Sequence, residues 1–293
     1  MIRFDAYTAT TEAAKKDDLG QIFFDVMGLG NFFPRVGKGF HTFSDRMAFR
    51  DADGHEVGAV QWGGRQGDRV MLEVKGDKSP AVAEALRARF PHRVTRVDAC
   101  ADFDAPGAFQ RPYKACRTVK KAHGIVGGKF GDWEDFPEKG RTLYLGARSS
   151  VTRARLYEKG LQPEYLHLNR PNLVRLELQV RPATLDAKTG FSSLTPLEVW
   201  GASRWSRDIA AQVLKEHIDP HPAGSVYRLS ERENALRWMC KQYGAHLVSL
   251  ADDLGGWECG GLTLAEMMAE QRSKRQACAD ACCAAMNDYL VRN

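Results

Sequence analysis

The sequence predicts an α+β fold, with an antiparallel-rich sheet and packed helices followed by a mostly helical C-terminal region. Short stretches that alternate between apolar and polar residues, typical of half-buried strands, dominate the first two thirds of the chain. Two helix-like segments interrupt these strands, and from residue 195 onward the helical pattern prevails. We therefore expect one domain over residues 1–190 and a helical region over residues 191–293.

The chain begins with a predicted strand, "IRFDAYTAT", followed by a helix capped at Thr10 or Thr11 and closed at Gly28. Three short runs broken by glycine then predict strands: "GFHTFSDRMAFRD", "EVGAVQWGG" and "DRVMLEVKG". The "DADG" segment at 51–54 predicts a hairpin turn between the first two of these strands.

The next two elements are a helix and a strand. "SPAVAEALRARF" predicts a helix with Ser79 as its N-cap and Pro80 at its first position. "RVTRVDACADFD" alternates and predicts a strand. Residues 104–140 are rich in glycine and charge, and we expect them to form a loop.

Three more alternating segments predict strands after this loop: "RTLYLGAR", "TRARLYEKG" and "NLVRLELQVRP". From Thr195 the chain is expected to be helical. Two further helices are predicted to open with capping boxes, one formed by Ser230 and Glu233 and the other by Thr263 and Glu266.

Composition restricts the possible functions only moderately. The 293 residues include 42 Lys and Arg against 37 Asp and Glu, and the net charge of +5 is compatible with a nucleic-acid partner without requiring one. No run of 18 apolar residues occurs, so we expect no membrane span. The seven cysteines include no CxxC pair, which indicates reduced thiols and a cytoplasmic protein.

Three of the predicted strands carry polar side chains on one face and apolar side chains on the other. The stripe in "RARLYEKG" combines three cations with a phenol: Arg153, Arg155, Tyr157 and Lys159. The stripes of the other two strands add acids and more cations: Arg96, Asp98 and Asp102, then Arg175, Glu177, Gln179 and Arg181. Neighbouring strands lie about 5 Å apart, so the stripes could meet.

Together these side chains favour chemistry on a phosphodiester. Carboxylates are the ligands that Mg²⁺ or Mn²⁺ prefers, and Arg and Lys hold phosphates. We expect the flanking cations and a metal to lower the pKa of Tyr157 and thereby activate it. Tyr144 is a rival phenol that lacks flanking cations along its own strand. A solvent-exposed polar face, or cross-strand ion pairs, would explain the same stripes without any chemistry.

The motifs resemble those of the replication initiation factor family, which covers rolling-circle initiators of the staphylococcal plasmid type and related filamentous-phage proteins. "VTRVDACADF" is similar to the family's "RxDxxxDF" strand, and "GRTLYLGARSSVTRARLYEKG" resembles its "TxYxGxRxSxxxxRxYxKG" segment. "LVRLELQVR" is similar to its "RxExxxR" strand, and the segments before residue 76 fit the phage-type members. The resemblance covers residues 1–190, and the helical remainder matches no family.

The resemblance implies a metal-dependent tyrosine DNA endonuclease and strand transferase that nicks and rejoins one strand of a phage or plasmid origin. It places Tyr157 on the attacking tyrosine and uses Mg²⁺ or Mn²⁺. The remaining implied residues are the flanking cations Arg155 and Lys159 and the metal ligands Asp98, Asp102 and Glu177. The other large class of rolling-circle nickases has a His-hydrophobic-His pair, which is missing here.

We further expect Arg153, Arg96 and Arg175 to bind DNA. The implied partner is origin DNA in double-stranded and single-stranded form, and a host helicase and a homodimer stay open. The alternative is a non-catalytic DNA-binding repressor or accessory factor of the same ancestry. A third possibility is a structural domain whose charged strands face solvent.

Overall fold

The computed structural model describes residues 2–28, 30–136, 139–225 and 231–292, with the side chains of 231–234, 275 and 277–292 excepted. The chain divides into two compact units, residues 1–226 and residues 227–293. None of the helices in these described segments is long and apolar enough to cross a membrane.

The first unit is built on one sheet of ten strands in which every neighbouring pair is antiparallel. In chain order the strands are β1 Ile2–Thr11, β2 Phe33–Lys38, β3 Asp45–Arg50, β4 Glu56–Trp62, β5 Val70–Lys75, β6 Arg93–Asp104, β7 Lys129–Phe130, β8 Thr142–Leu145, β9 Thr152–Tyr157 and β10 Leu173–Val180. Their order across the sheet is β2-β3-β4-β5-β1-β6-β10-β9-β8-β7. The predicted α+β class is confirmed, and the three polar-striped strands are neighbours at the centre of the sheet.

Helices cover the apolar face of this sheet. They are α1 Lys16–Met27, α2 Ser79–Arg89, α3 Gln110–Ala122 and α5 Arg204–Ile209. The short helix α4 Leu185–Gly190 buries no residue and is not part of this layer. Leu19, Phe23 and Leu86 from the first two helices join buried strand residues in one hydrophobic core. Burial of this apolar face leaves the opposite face of the sheet to the polar stripes.

Helix boundaries differ from the prediction near the N-terminus. β1 continues through Thr11, so α1 begins at Lys16 and the cap predicted at Thr10 or Thr11 is wrong. The predicted end is confirmed, because Gly28 closes α1 with a φ of +79° that favours glycine. α2 begins one residue earlier than predicted, because its N-cap is Lys78 and Ser79 is its first residue, which puts Pro80 at the second position.

The sequence pattern missed the two-residue strand β7, the short helix α4 and two longer elements, β2 and α3. β2, "FPRVGK", contains Pro34 and Gly37, which weaken a strand pattern, and it lies at the sheet edge where proline is tolerated. α3 lies within the predicted loop. Its buried Pro112, Cys116 and Val119 recur at the i, i+4, i+7 spacing of an amphipathic helix, a pattern that the glycines around it obscured.

Residues 191–225 belong to the first unit, whereas the sequence grouped them with the helical region. The reason is apolar packing: Phe191, Trp200 and Ile209 are buried in the same core as the sheet. Trp200 is fully buried and is among the largest side chains there.

The second unit consists of two helices, α6 Glu231–Asp253 and α7 Trp257–Arg292. Gly255 and Gly256, both with positive φ, form the turn between them. The capping box predicted at Thr263 is wrong, because α7 already begins at Trp257. The box predicted at Ser230 lies outside the described residues.

Candidate functional site

The strand register brings the three polar stripes onto one face. Arg155 on β9 lies opposite Glu177 on β10 and opposite Tyr144 on β8. Glu177 in turn lies opposite Cys100 on β6, between the diagonal neighbours Asp98 and Asp102. Residues that pair directly across antiparallel strands share a face of the sheet. The side chains predicted to form one site therefore lie on one face of the sheet, where they divide into two clusters.

A cavity of about 200 Å³ opens between these strands. We call it the tyrosine pocket; it is lined by Arg96, Tyr144, Arg153, Ala154, Arg155, Glu177 and Gln179. Tyr144 and Arg153 are half-buried, so the pocket exposes both a phenol and a cation.

Glu177 is the buried acid of the tyrosine pocket. Arg155 donates from Nη2 to its carboxylate at 2.9 Å, and the Tyr157 hydroxyl lies 3.5 Å from the same oxygen. Burial raises the pKa of Glu177, and the nearby Asp98 raises it further, while Arg155 acts in the opposite direction. Burial and Asp98 therefore oppose the charge of Glu177, and Arg155 compensates it.

Asp98 is 2% exposed and is bound by Arg96, whose Nε donates to the carboxylate at 3.0 Å. Gln179 holds Arg96 from a second side, because its amide oxygen accepts from the Arg96 guanidinium at 2.6 and 2.9 Å. Burial would lower the pKa of Arg96, but Asp98 raises it. Arg96 thus lines the pocket while part of its charge is compensated.

Tyr157 does not face the pocket openly. It is 2% exposed, and the Arg155 guanidinium stacks over its ring at 3.9 Å from the centroid. Burial raises the pKa of Tyr157, and Glu177 raises it further, which outweighs the lowering by Arg155 and Arg175. Arg155 thus acts on this pKa in the expected direction, but the cations by themselves do not bring the pKa of Tyr157 below its ordinary value as predicted.

Tyr144 has the cationic surroundings that its own strand does not supply. The Arg153 guanidinium lies 3.9 Å from the Tyr144 ring centroid, and Phe130 packs edge-on against the same ring at 5.2 Å. Arg153, like Arg155 opposite Tyr144, belongs to β9. The pairing of β8 with β9 could therefore have revealed these cations, whereas the sequence of β8 alone could not.

Arg153 has a buried Nε without a hydrogen-bond partner, and no ion pair involves it among the described residues. Burial lowers the pKa of Arg153, and Arg148 and Arg181 add to this because they are cations nearby. An arginine held beside other cations and without an acid is a favourable place for a phosphate. This fits the predicted DNA contact of Arg153.

Arg175 lies in a second, closed cluster on the same face. It is 1% exposed and donates to Asp102 at 2.6 and 2.7 Å and to Asp5. Arg3 also pairs with Asp102, at 3.1 Å. Burial would raise the pKa of Asp102, but Arg175 and Arg3 hold it below its usual value. A guanidinium so enclosed does not fit the predicted contact with DNA.

Lys159 joins this closed cluster and is only 6% exposed. Its Nζ lies over the Tyr165 ring at 4.1 Å, and burial together with Arg175 lowers its pKa. The predicted contact of Lys159 with a neighbouring phosphate therefore does not fit its position. Asp5 and Arg3 were missed in the sequence because the first strand is far from the others along the chain.

The three predicted metal ligands do not form one site. Asp98 and Asp102 are four residues apart on β6, a separation of about 13 Å along a strand, so both cannot bind one ion. Asp98 and Glu177 are close enough to affect each other's charge, and two buried carboxylates side by side fit a divalent cation. Asp102 is instead neutralised by Arg175.

Another group could also hold a metal ion. Within the described segments, the one set of three carboxylate or imidazole ligand atoms within 4.8 Å of one another is that of Asp51, Asp53 and His55. It lies in the exposed turn between β3 and β4, at the predicted "DADG" hairpin.

Comparison with known proteins gives little beyond this geometry. No family model matches the chain, and no curated protein matches it. Among solved structures it is similar to the rolling circle replication initiator protein from Geobacillus stearothermophilus, with 19% identity and a TM-score of 0.43. The similarity covers 69% of this chain and 83% of that chain. A similarity this low does not assign a function.

Proposed function

We propose that this protein nicks and rejoins one strand of DNA through a covalent tyrosyl intermediate formed in the tyrosine pocket. The observation that carries the proposal is the juxtaposition, in one pocket, of the half-exposed phenol of Tyr144, the unpaired guanidinium of Arg153 and the buried carboxylate of Glu177. The motif resemblance to the replication initiation factor family supports a phage or plasmid replication origin as the substrate.

The proposed reaction uses the groups of the pocket directly. The Tyr144 oxygen attacks a backbone phosphorus, and the bond from that phosphorus to one sugar oxygen breaks. The phenol gives up its proton to solvent, and Arg153 and Arg155, which line the pocket beside Tyr144, offset the negative charge that builds up on the phosphate. The departing sugar oxygen takes up a proton from solvent and becomes a hydroxyl. Because the tyrosyl phosphodiester conserves the energy of the broken bond, attack by this hydroxyl rejoins the strand and releases Tyr144.

Asp98 and Glu177 are the residues that would hold a Mg²⁺ or Mn²⁺ ion here. When bound, such an ion polarises a phosphate oxygen and favours the phenolate. Asp98 is paired with Arg96, and Glu177 is paired with Arg155. A bound ion would replace these arginines as the compensating charge. Removal of divalent ions with a chelator should therefore suppress the reaction while the fold stays intact.

Tyr144 is preferred over Tyr157 because a nucleophile must reach its target. Tyr157 is 2% exposed and has a raised pKa, whereas Tyr144 lines the cavity. Tyr157 remains the second candidate because it lies between Arg155 and Lys159 in the family-like motif.

Two phenylalanine variants test the choice. Wild type, Tyr144→Phe and Tyr157→Phe are each incubated with end-labelled single-stranded DNA of random sequence and Mg²⁺, and the covalent adduct is measured on denaturing gels. Tyr144→Phe should abolish the adduct, and Tyr157→Phe should retain it. The reverse result would assign the attack to Tyr157.

A wild-type protein that binds the DNA but forms no adduct, with either random oligonucleotides or supercoiled replicon DNA, would contradict the nicking proposal. That outcome would favour the non-catalytic DNA-binding alternative. Retained binding by both phenylalanine variants is the control for correct folding, because neither substitution removes a cation.

A further inference from the structure

A second and larger cavity adjoins the tyrosine pocket. It has a volume of about 580 Å³ and lies where β1, β5 and β6 meet the residues of α4. Arg96 lines both cavities, so the larger one is a direct neighbour of the pocket. We call it the cationic groove.

Most charged side chains that line the cationic groove are positive. Five of its fourteen lining residues are basic: Arg69, Arg93, Arg96, Arg181 and Lys188. Its single acid, Glu73, is already paired with Arg46 at 2.7 Å. Arg69 and Arg93 share one carboxylate, that of Glu12, at 2.9 and 3.9 Å.

Two of the cations are uncompensated. Arg181 and Lys188 have no ion-pair partner in the part of the chain that the structure describes, and Arg181 donates instead to the backbone carbonyl of Arg148 at 3.3 Å. Arg181 is exposed and Lys188 is half-buried, so both can reach a ligand. Neighbouring cations without acidic partners repel one another, and a bound anion relieves this repulsion.

The groove is not purely polar. Phe43, Met71 and Leu185 also line it, together with Thr8, Thr10 and Thr95. Cations that follow a backbone together with apolar surfaces for sugars and bases are typical of grooves for single strands. A volume in the range of small-molecule pockets admits a few nucleotides of one strand and excludes a double helix.

Local backbone strain lies at the same place. His41 lines the groove, and both His41 and Thr42 have positive φ, 54° and 73°. Residues other than glycine adopt this conformation at a cost, and such strain concentrates at functional sites.

We propose that the cationic groove binds the sugar–phosphate backbone of single-stranded DNA on one side of the tyrosine pocket. This inference rests on the proposed function for its meaning, because the groove would hold the strand whose phosphate is attacked. Arg181 and Lys188 supply the two contacts that have no ion-pair partner among the described residues.

The test compares the salt dependence of DNA binding. Arg181→Ala, Lys188→Ala and the double variant are titrated with a fluorescein-labelled single-stranded oligonucleotide of random sequence and with a duplex of one defined sequence. Each lost phosphate contact should reduce the slope of log K against log salt by about 0.7 for the single strand. The double variant should bind the single strand about tenfold more weakly at low salt.

Arg204→Ala is the matched control, because Arg204 is exposed on α5 and does not line the groove. Its slope should equal that of the wild type. A double variant that binds single strands as the wild type does, or an equal loss in Arg204→Ala, would overturn the groove. A loss for the duplex as large as that for the single strand would overturn the single-strand assignment.

Adduct formation at saturating oligonucleotide separates the two proposals. If the wild type forms an adduct and the variants keep the wild-type slope of log K against log salt, the groove proposal is refuted and the nicking proposal is supported. If the variants show reduced slopes but the wild type forms no adduct, the groove proposal is supported and the nicking proposal is refuted.

Discussion

Arg175 is the residue at which sequence pattern and structure differ most, and its replacement can be worked out in detail. The polar stripe predicted a DNA contact, but the side chain is 1% exposed and fully engaged by Asp102 and Asp5. Arg175→Met keeps much of the volume and removes the charge. The change leaves two carboxylates with reduced compensation inside the sheet face.

The expected loss of stability is large. Removing one partner of a buried ion pair costs about 3–5 kcal/mol, because the remaining charge is left buried. The first unit has 226 residues, and in a domain of this size each kcal/mol lowers the melting temperature by about 2–4 °C. The melting temperature of Arg175→Met should therefore fall by about 6–20 °C.

The loss should depend on pH. Because Arg175 and Arg3 hold the pKa of Asp102 below 3.8, the ion pair stabilises the wild type above that pH. This stability is lost as the pH falls through the lowered pKa of the folded state. The gap between wild type and Arg175→Met in thermal melts should therefore shrink in acid.

A triple variant gives the internal control. Combining Arg175→Met with Asp5→Asn and Asp102→Asn removes the uncompensated charges and should recover part of the loss. If Arg175→Met melts as the wild type does but binds DNA more weakly, then Arg175 is the DNA contact that the stripe predicted and the reasoning from burial is wrong.

Three further predictions concern single residues. Glu177→Gln should become more stable relative to the wild type as the pH rises above 4.5. The reason is that burial and Asp98 raise the pKa of Glu177, so the wild type loses stability as this carboxyl ionises. A difference in melting temperature between the two proteins that does not change with pH would contradict this. His92 forms a hydrogen bond with the Tyr7 hydroxyl at 2.8 Å, and burial holds the pKa of His92 below 6.5. The wild type should therefore lose stability as the pH falls below 6.5, and the melting temperature of His92→Gln should depend less on pH. Parallel pH profiles of the two melting temperatures would argue against this. In Gly127→Ala the new Cβ would lie 2.0 Å from the Tyr144 carbonyl oxygen, so chemical denaturation should reveal a loss of about 1–3 kcal/mol, whereas Gly37→Ala, with open space around it, should lose none; equal losses would refute the packing argument.

The strands of the site were predictable because their alternation is strong. Segments around residues 93–104, 152–157 and 173–180 each place apolar residues at every second position, and burial of one face selects the strand conformation. α3 was not predicted, although Cys116 and Val119 carry its helical spacing, because glycines on either side suggested a loop. Local pattern thus identified most elements and failed where two patterns competed.

Which polar side chains would lie on a common face was also contained in the sequence. Period-2 alternation assigns Asp98, Tyr157 and Glu177 to one face of their strands, and the structure puts these strands side by side. The resemblance to known motifs then suggested what such a face could do.

Only the tertiary structure decided which of these groups are available for chemistry. Strand register and bulges bring Asp5 and Arg3 from β1 onto Arg175 and Asp102, and it is this pairing that closes one cluster. The same register sets Arg153 over Tyr144 and leaves that phenol, rather than Tyr157, lining an open pocket. The physical reason is that alternation along a strand determines only the face on which a side chain lies. Charge compensation and exposure depend on neighbours that are distant in the chain and meet only when the sheet is assembled.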